Sequence, residues 1–200
     1  MSGLSGKTVL VTGASRGIGA ATATALADAG AAVIAHYGSH RDGAAEAVAR
    51  APDERKLLLQ ADLAQQGSAR SLWRGAVAWK GRVDVVVANA AIAAETPFDG
   101  SDDEWDDGWD ATLRINVLEP ASLIREAVNH FRANGGGILI TLSSWAGQQG
   151  SAIAQLSAYA ASKAAVKAVT QTVARNYAKE GVLAYVVAPG IVRTRAIASS

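Results

Sequence analysis

Six short runs of Val, Ile and Leu alternate with longer, alanine-rich stretches of helical spacing, and this alternation narrows the possible folds of the chain more than any other feature. A strand that is apolar at every position must be covered on both faces, and crossover helices between parallel strands supply that cover. The runs predict strands at Thr8–Thr12, Ala32–His36, Leu57–Ala61, Val83–Ala88, Ile138–Leu142 and Leu183–Ala188. The spacing between them predicts helices at Ile18–Ala29, Gly43–Arg50, Ala69–Trp79, within 102–132, and at Tyr159–Lys179, the last stopped by Gly181. Right-handed crossovers then place helices on both faces of a doubly wound parallel sheet.

With 200 residues, 50% hydrophobic and 18% charged, the chain reads as one globular domain with a continuous core. Nineteen basic residues against eighteen acidic ones leave a net charge of +1 with no basic stripe, which predicts no nucleic-acid partner. The chain has no cysteine, so disulfides, thiolate metal sites and a cysteine nucleophile are excluded. His36, His40 and His130 lack ligand spacing, and no metal is predicted. No apolar segment has the length of a membrane span, and the polar start breaks into Gly13, Ser15 and Arg16 instead of a signal peptide's apolar region. A cytoplasmic protein without membrane contact is expected. The acidic run from Asp99 to Asp110 reads as a solvated helix start.

Directly after the first strand stands Thr12-Gly13-Ala14-Ser15-Arg16-Gly17-Ile18-Gly19, and a helical pattern follows without a break. Strand, glycine turn and helix form the phosphate-binding context of a Rossmann-type α/β fold, because free amides at a helix N-terminus face an approaching pyrophosphate. Gly13 permits the tight turn, and Gly17 and Gly19 are expected to clear the pyrophosphate's path. The spacing is G-x-x-x-G-x-G, which departs from the general G-x-G-x-x-G fingerprint.

A second constellation is Ser144, Tyr159 and Lys163. Tyr and Lys four apart on a helix share a face, so an ammonium can lie close to a phenol. Reducing a ketone requires a proton for the oxygen as hydride reaches the carbon. A free phenol ionises near pH 10, and a fixed cation beside it favours the phenolate. Ser144 follows the fifth strand, where its hydroxyl can donate to the substrate oxygen as charge grows there. Trp73, Trp79, Trp105 and Trp109 read as packing residues, whereas Trp145 could line a substrate pocket or join the core.

Together these motifs resemble the short-chain dehydrogenase/reductase family, especially its 3-oxoacyl-[acyl-carrier-protein] reductase-like members, along nearly the whole chain. Thr12–Gly19 is similar to the family's TGxxxGxG turn and Ala88-Asn89-Ala90-Ala91 to its NNAG segment, with Ala at that segment's first and last positions. Ser144, Tyr159 and Lys163 match its catalytic trio, and Asn116 its catalytic asparagine, whose backbone carbonyl the resemblance places beside a water linked to Lys163. Pro189-Gly190 and Thr194 match the PG-x-x-x-T segment, which in the family lies beside the nicotinamide carboxamide. The interval from Ser144 to Tyr159 is longer than the family's commonest one, and family members usually continue well past the PG segment. The resemblance thus predicts a single dinucleotide-binding and catalytic domain over 1–200 whose substrate lid and seventh strand are missing.

The implied activity is hydride transfer between a nicotinamide cofactor and a small carbonyl or alcohol substrate. The implied cofactor contacts are Gly13, Ser15, Arg16, Ile18, Gly19, Tyr37, Arg41, Asp62, Leu63, Asn89, Ala90, Tyr159, Lys163, Pro189, Gly190 and Thr194. Tyr37 stands where the family's NAD enzymes carry an Asp, and Asp62 resembles the residue that meets adenine. Without a repelling carboxylate, Arg16 and Arg41 are candidates for the 2′-phosphate, so NADP(H) is expected over NAD(H); the alternative is that both are solvated surface groups. The resemblance also implies a homodimer or homotetramer built on the Asn116 and Tyr159 helices, although Ala160, Ala161, Ala164, Ala165 and Ala168 could instead pack on the sheet. Two other classes of function stay open: a non-catalytic NADP(H)-binding sensor and a structural subunit.

Overall fold

In a computed structural model of the chain, residues 3–192 are described. All six expected strands form: β1 (Thr8–Val11), β2 (Ala32–Tyr37), β3 (Lys56–Gln60), β4 (Val85–Ala88), β5 (Gly137–Leu142) and β6 (Val182–Val187). They lie in one parallel sheet in the order β3-β2-β1-β4-β5-β6. The order reverses between β1 and β4, and such sheets bind ligands outside the carboxyl ends of the strands at this switch point.

Alternation within each apolar run sorts side chains to the two faces. Leu10, Ile34, Val86 and Leu139 join a core with α3 (Ser68–Lys80), α5 (Glu119–Ala133) and α7 (Ser157–Tyr177). Val9, Val11, Val33, Ala35 and Val87 join a second core with α1 (Gly17–Asp28) and α2 (Arg41–Ala47). Alanines at the helix contacts, Ala23 and Ala27 on α1 and Ala44 and Ala47 on α2, are buried and let the helices lie close to the sheet.

The 102–132 stretch is not one regular helix. It comprises α4 (Asp102–Leu113), a π-helical turn at Arg114–Leu118, and α5. Ser101 caps α4 in a reciprocal box with Glu104, and Asp102, Asp103 and Glu104 occupy the first turn, as the acidic run predicts. Glu119 is buried at the head of α5, where its carboxylate accepts from the Gly67 and Ala69 amides at 2.9 Å and so caps α3. A short helix, α6 (Ala146–Gln149), lies in the loop after β5 and has no counterpart in the periodicity. At the opposite pole of the sheet Asp84 accepts from Thr8 N at 2.9 Å and from Arg82 Nε at 2.8 Å. No helix of the described residues is long and apolar enough to cross a membrane.

Candidate active site

The glycine turn follows β1 and runs into α1 with Arg16 at the N-cap position. Gly13 and Gly17 have φ of +67° and +59°, a left-handed conformation that side chains resist. A Cβ at Gly19 would collide with the Gly13 carbonyl and the Asn89 side-chain amide, so its absence also seats α1 against its own turn.

Two neighbouring strands hold this turn. From the end of β4, Asn89 Nδ2 donates to the Thr12 carbonyl at 2.9 Å and the Gly13 carbonyl at 3.2 Å. The Asn89 and Ala90 amides donate in return to Thr12 Oγ1 at 2.9 and 3.0 Å. From β2, the buried His36 ring takes the Gly13 amide. Sequence reasoning missed this histidine, because nothing in its spacing marks a contact across two strands.

The α1 N-terminus has neither a side-chain cap nor an acidic residue in its first turn. Its orphan amides and positive dipole end suit the diphosphate of a dinucleotide. A cleft of about 1170 Å³ borders it, lined at that end by Ser15, Arg16, Gly17, Ile18 and His40 and continuing between α1 and α2 to Thr24 and Ala47. His40 lines the cleft, whereas Arg41 begins α2 beside it, exposed and outside the lining. Tyr37 is half-buried at the end of β2. Asp62 is exposed, its carboxylate accepting from the Ala64 amide at 3.0 Å, and Leu63 is buried in the core.

The second cluster gathers beyond β5. Ser144 is half-buried, and its Oγ accepts from the Ala146 amide at 3.2 Å. Its neighbour Ser143 donates to the Lys163 backbone carbonyl at 2.8 Å, pinning α7 to the strand end. On α7, Lys163 Nζ lies 5.6 Å from the centre of the Tyr159 ring. The Lys163 side chain is 5% exposed and donates to the Leu142 carbonyl at 2.8 Å. Burial pushes its pKa from the usual 10.5 down to about 8. Among the described residues no second acceptor meets this amine, so an ammonium with three donors has capacity left for ribose hydroxyls.

Asn116 sits in the π-helical turn, an irregularity frequent at functional sites. Its side chain accepts from Ile92 N at 2.9 Å and donates to the Ile92 carbonyl at 2.8 Å and to Ser162 Oγ at 3.0 Å. Pro189 and Gly190 follow β6, and the Pro189 carbonyl accepts from the Trp145 amide at 3.0 Å, which ties this segment to the Ser144 loop. Trp145 is 54% exposed, which excludes the core role. Thr194 lies outside the described residues.

Residues 7–200 match the family model described as short chain dehydrogenase. A cis-4-hydroxycyclohexanecarboxylate dehydrogenase of Sinomonas cyclohexanicum is 37% identical over 96% of this chain and 76% of its own length. A 3beta-hydroxysteroid dehydrogenase 1 of Eggerthella lenta is 35% identical over 96% of this chain and 72% of its own. A 3-oxoacyl (acyl-carrier-protein) reductase of Agrobacterium tumefaciens, solved with NADP bound, superposes with a TM-score of 0.87 at 32% identity, covering 99% of this chain and 75% of that one. Fold, glycine turn and matched length converge, and the chain belongs to the short-chain dehydrogenase/reductase family. It is an oxidoreductase of a family that binds nicotinamide cofactors and acts on small molecules.

Proposed function

We propose that this chain transfers a hydride between NADP(H) and a carbonyl or secondary alcohol substrate, with Tyr159, Lys163, Ser144 and Asn116 as its catalytic group. The observation that carries the proposal is the Lys163 amine, buried at the end of β5, held by one carbonyl and set beside the Tyr159 ring. The nicotinamide supplies the hydride when bound. Tyr159 gives its phenolic proton to the carbonyl oxygen in reduction and takes one in oxidation. Ser144 donates a hydrogen bond to the same oxygen. Lys163 holds the nicotinamide ribose through its unmet donors and favours the phenolate. Asn116 fixes the loop after β4 and, through Ser162, the turn of α7 that carries Lys163.

The proposed cofactor contacts rest on the family resemblance. Gly13, Ser15, Arg16, Ile18 and Gly19 form the diphosphate end, Tyr37, Arg41, Asp62 and Leu63 the adenosine end, and Asn89, Ala90, Pro189, Gly190 and Thr194 the nicotinamide side. Tyr37 places no carboxylate against a 2′-phosphate, and two relatives solved with NADP bound, the second a Burkholderia cenocepacia dehydrogenase 34% identical to this chain, support NADP(H) over NAD(H). The test is oxidation of NADPH against a panel of ketones, alongside dissociation constants for both cofactors. NADPH is expected to bind at least tenfold more tightly than NADH. Replacing Arg16 and Arg41 together with Ala should remove most of that preference, each charged contact contributing about 1.5–3 kcal/mol. Equal affinities in the parent overturn the NADP assignment, and tight binding without turnover of any ketone overturns the catalytic one.

Ala161, Ala164 and Ala168 line the exposed side of α7, while Val166 and Val173 face the core, so the outward alanines permit close approach by a second copy. This supports a homodimer or homotetramer, and light scattering at micromolar concentration should read twice or four times the chain mass. A cytoplasmic setting suits such an enzyme, since both cofactor forms are soluble metabolites.

A further inference from the structure

His36 is 2% exposed, and both of its ring nitrogens are engaged. Nδ1 lies 3.0 Å from the Gly13 amide nitrogen, and Nε2 lies 2.9 Å from the Ala61 carbonyl oxygen. The Gly13 amide can only donate and the Ala61 carbonyl can only accept, so Nδ1 carries the lone pair and Nε2 the proton. One neutral tautomer satisfies both contacts, and burial favours it by pushing the ring's pKa below its usual value. The His36 backbone carbonyl also accepts from the Ala14 amide at 2.8 Å. A single residue on β2 thereby holds two consecutive amides of the glycine turn and braces itself on the residue that follows β3.

We infer that His36 is a positioning residue for the dinucleotide: its Nδ1 sets the direction of the glycine turn and hence of the α1 amides that face the diphosphate. This rests on the turn being the cofactor site, as proposed above. Asn89 holds the carbonyls of Thr12 and Gly13, but the Gly13 amide has no acceptor in the described residues other than His36. Gly13 is at a φ of +67°, so without that acceptor the turn has other accessible conformations. A site that must be ordered on binding loses the affinity spent on ordering it.

The two ring nitrogens can be separated with amides. In His36→Asn, Oδ1 falls near the position of Nδ1 and can accept from Gly13, while the link to Ala61 is lost. In His36→Gln, the longer side chain reaches toward Ala61 and leaves Gly13 without its acceptor. Each variant gives up one buried hydrogen bond, so their unfolding midpoints should fall alike. NADPH dissociation constants measured by fluorescence titration should not: His36→Asn is expected within about threefold of the parent, and His36→Gln weaker by tenfold or more. Ketone KM at saturating NADPH should stay close to the parent in both. Equal affinity in the two variants, or weaker binding by His36→Asn, overturns the assignment and leaves His36 a packing residue. Failure of the parent itself to bind NADPH or NADH is a separate result: it removes the cofactor-site reading and this inference with it.

Discussion

Tyr159→Phe is expected to bind NADPH as the parent does and to reduce ketones more slowly by a factor of about 10²–10⁴, the usual yield of a positioned proton donor. The substitution deletes one oxygen from a half-buried ring and leaves the ring's place on α7 and its approach to Lys163 intact. The loss should therefore fall on kcat, with the cofactor's dissociation constant unmoved, as for an interaction made only in the transition state. Single-turnover mixing of the NADPH complex with substrate isolates the step. A rate within tenfold of the parent would falsify the role given to the phenol.

Lys163→Met should abolish turnover and weaken cofactor binding while making the empty protein more stable. Burial lowers the amine's pKa from 10.5 to about 8, a cost of roughly 3 kcal/mol for holding the charge at pH 7. Losing the ammonium's bond to the Leu142 carbonyl takes back about 1.5–3 kcal/mol of that, leaving a net gain of at most about 1.5 kcal/mol for a thioether of similar length. The sign of the pH dependence follows from proton counts. Between pH 8 and 10.5 the unfolded parent holds more protons at this site than the folded one, so the parent's stability rises with pH across that window. The variant lacks this rise, so its advantage should be full below pH 8, close to nil about one pH unit higher, and reversed toward pH 10.5, where only the parent's bond to the Leu142 carbonyl is left to count. Urea unfolding without cofactor at pH 7 and at pH 9.5 reads both ends. A variant less stable than the parent at pH 7 contradicts the buried charge as a source of strain.

The sheet was legible because it is buried on both faces: unbroken apolar runs such as Val9-Leu10-Val11 and Val85-Val86-Val87, too short for helices, fit little besides central strands. Glycine turn and Tyr-Lys pair were legible because their spacing is local. What escaped is what joins distant segments. The π-helical turn at Arg114–Leu118 spans five residues, too short a departure from the α-helical period to stand out in the apolar pattern. α6 spans four residues, too few for any period to register. The need for glycine at position 19 is set by the Gly13 carbonyl together with Asn89, seventy residues on, and the role of His36 by Gly13 and Ala61. Asn89, Gly13 and Ala61 lie just past the ends of β4, β1 and β3, and the strand order brings them to Gly19 and His36.

The Asn116 side chain bonds the backbone of Ile92 on one side and Ser162 on the other, and Ser162 directly precedes Lys163. Three segments far apart in the chain are thereby riveted into one unit that abuts Lys163. Mutational libraries aimed at new substrates should leave that unit alone. The diversity belongs in residues 145–156, where Trp145 and Ile153 stand 54% and 57% exposed, and around Phe98, exposed by 73%. Swapping these stretches between relatives exchanges a detachable rim, whereas a single exchange at 116 or 162 made alone mismatches the rivet, Ile92 joining it through backbone atoms alone. Among chimeras of this chain with its relatives, active ones should be those that inherit positions 116 and 162 from one parent.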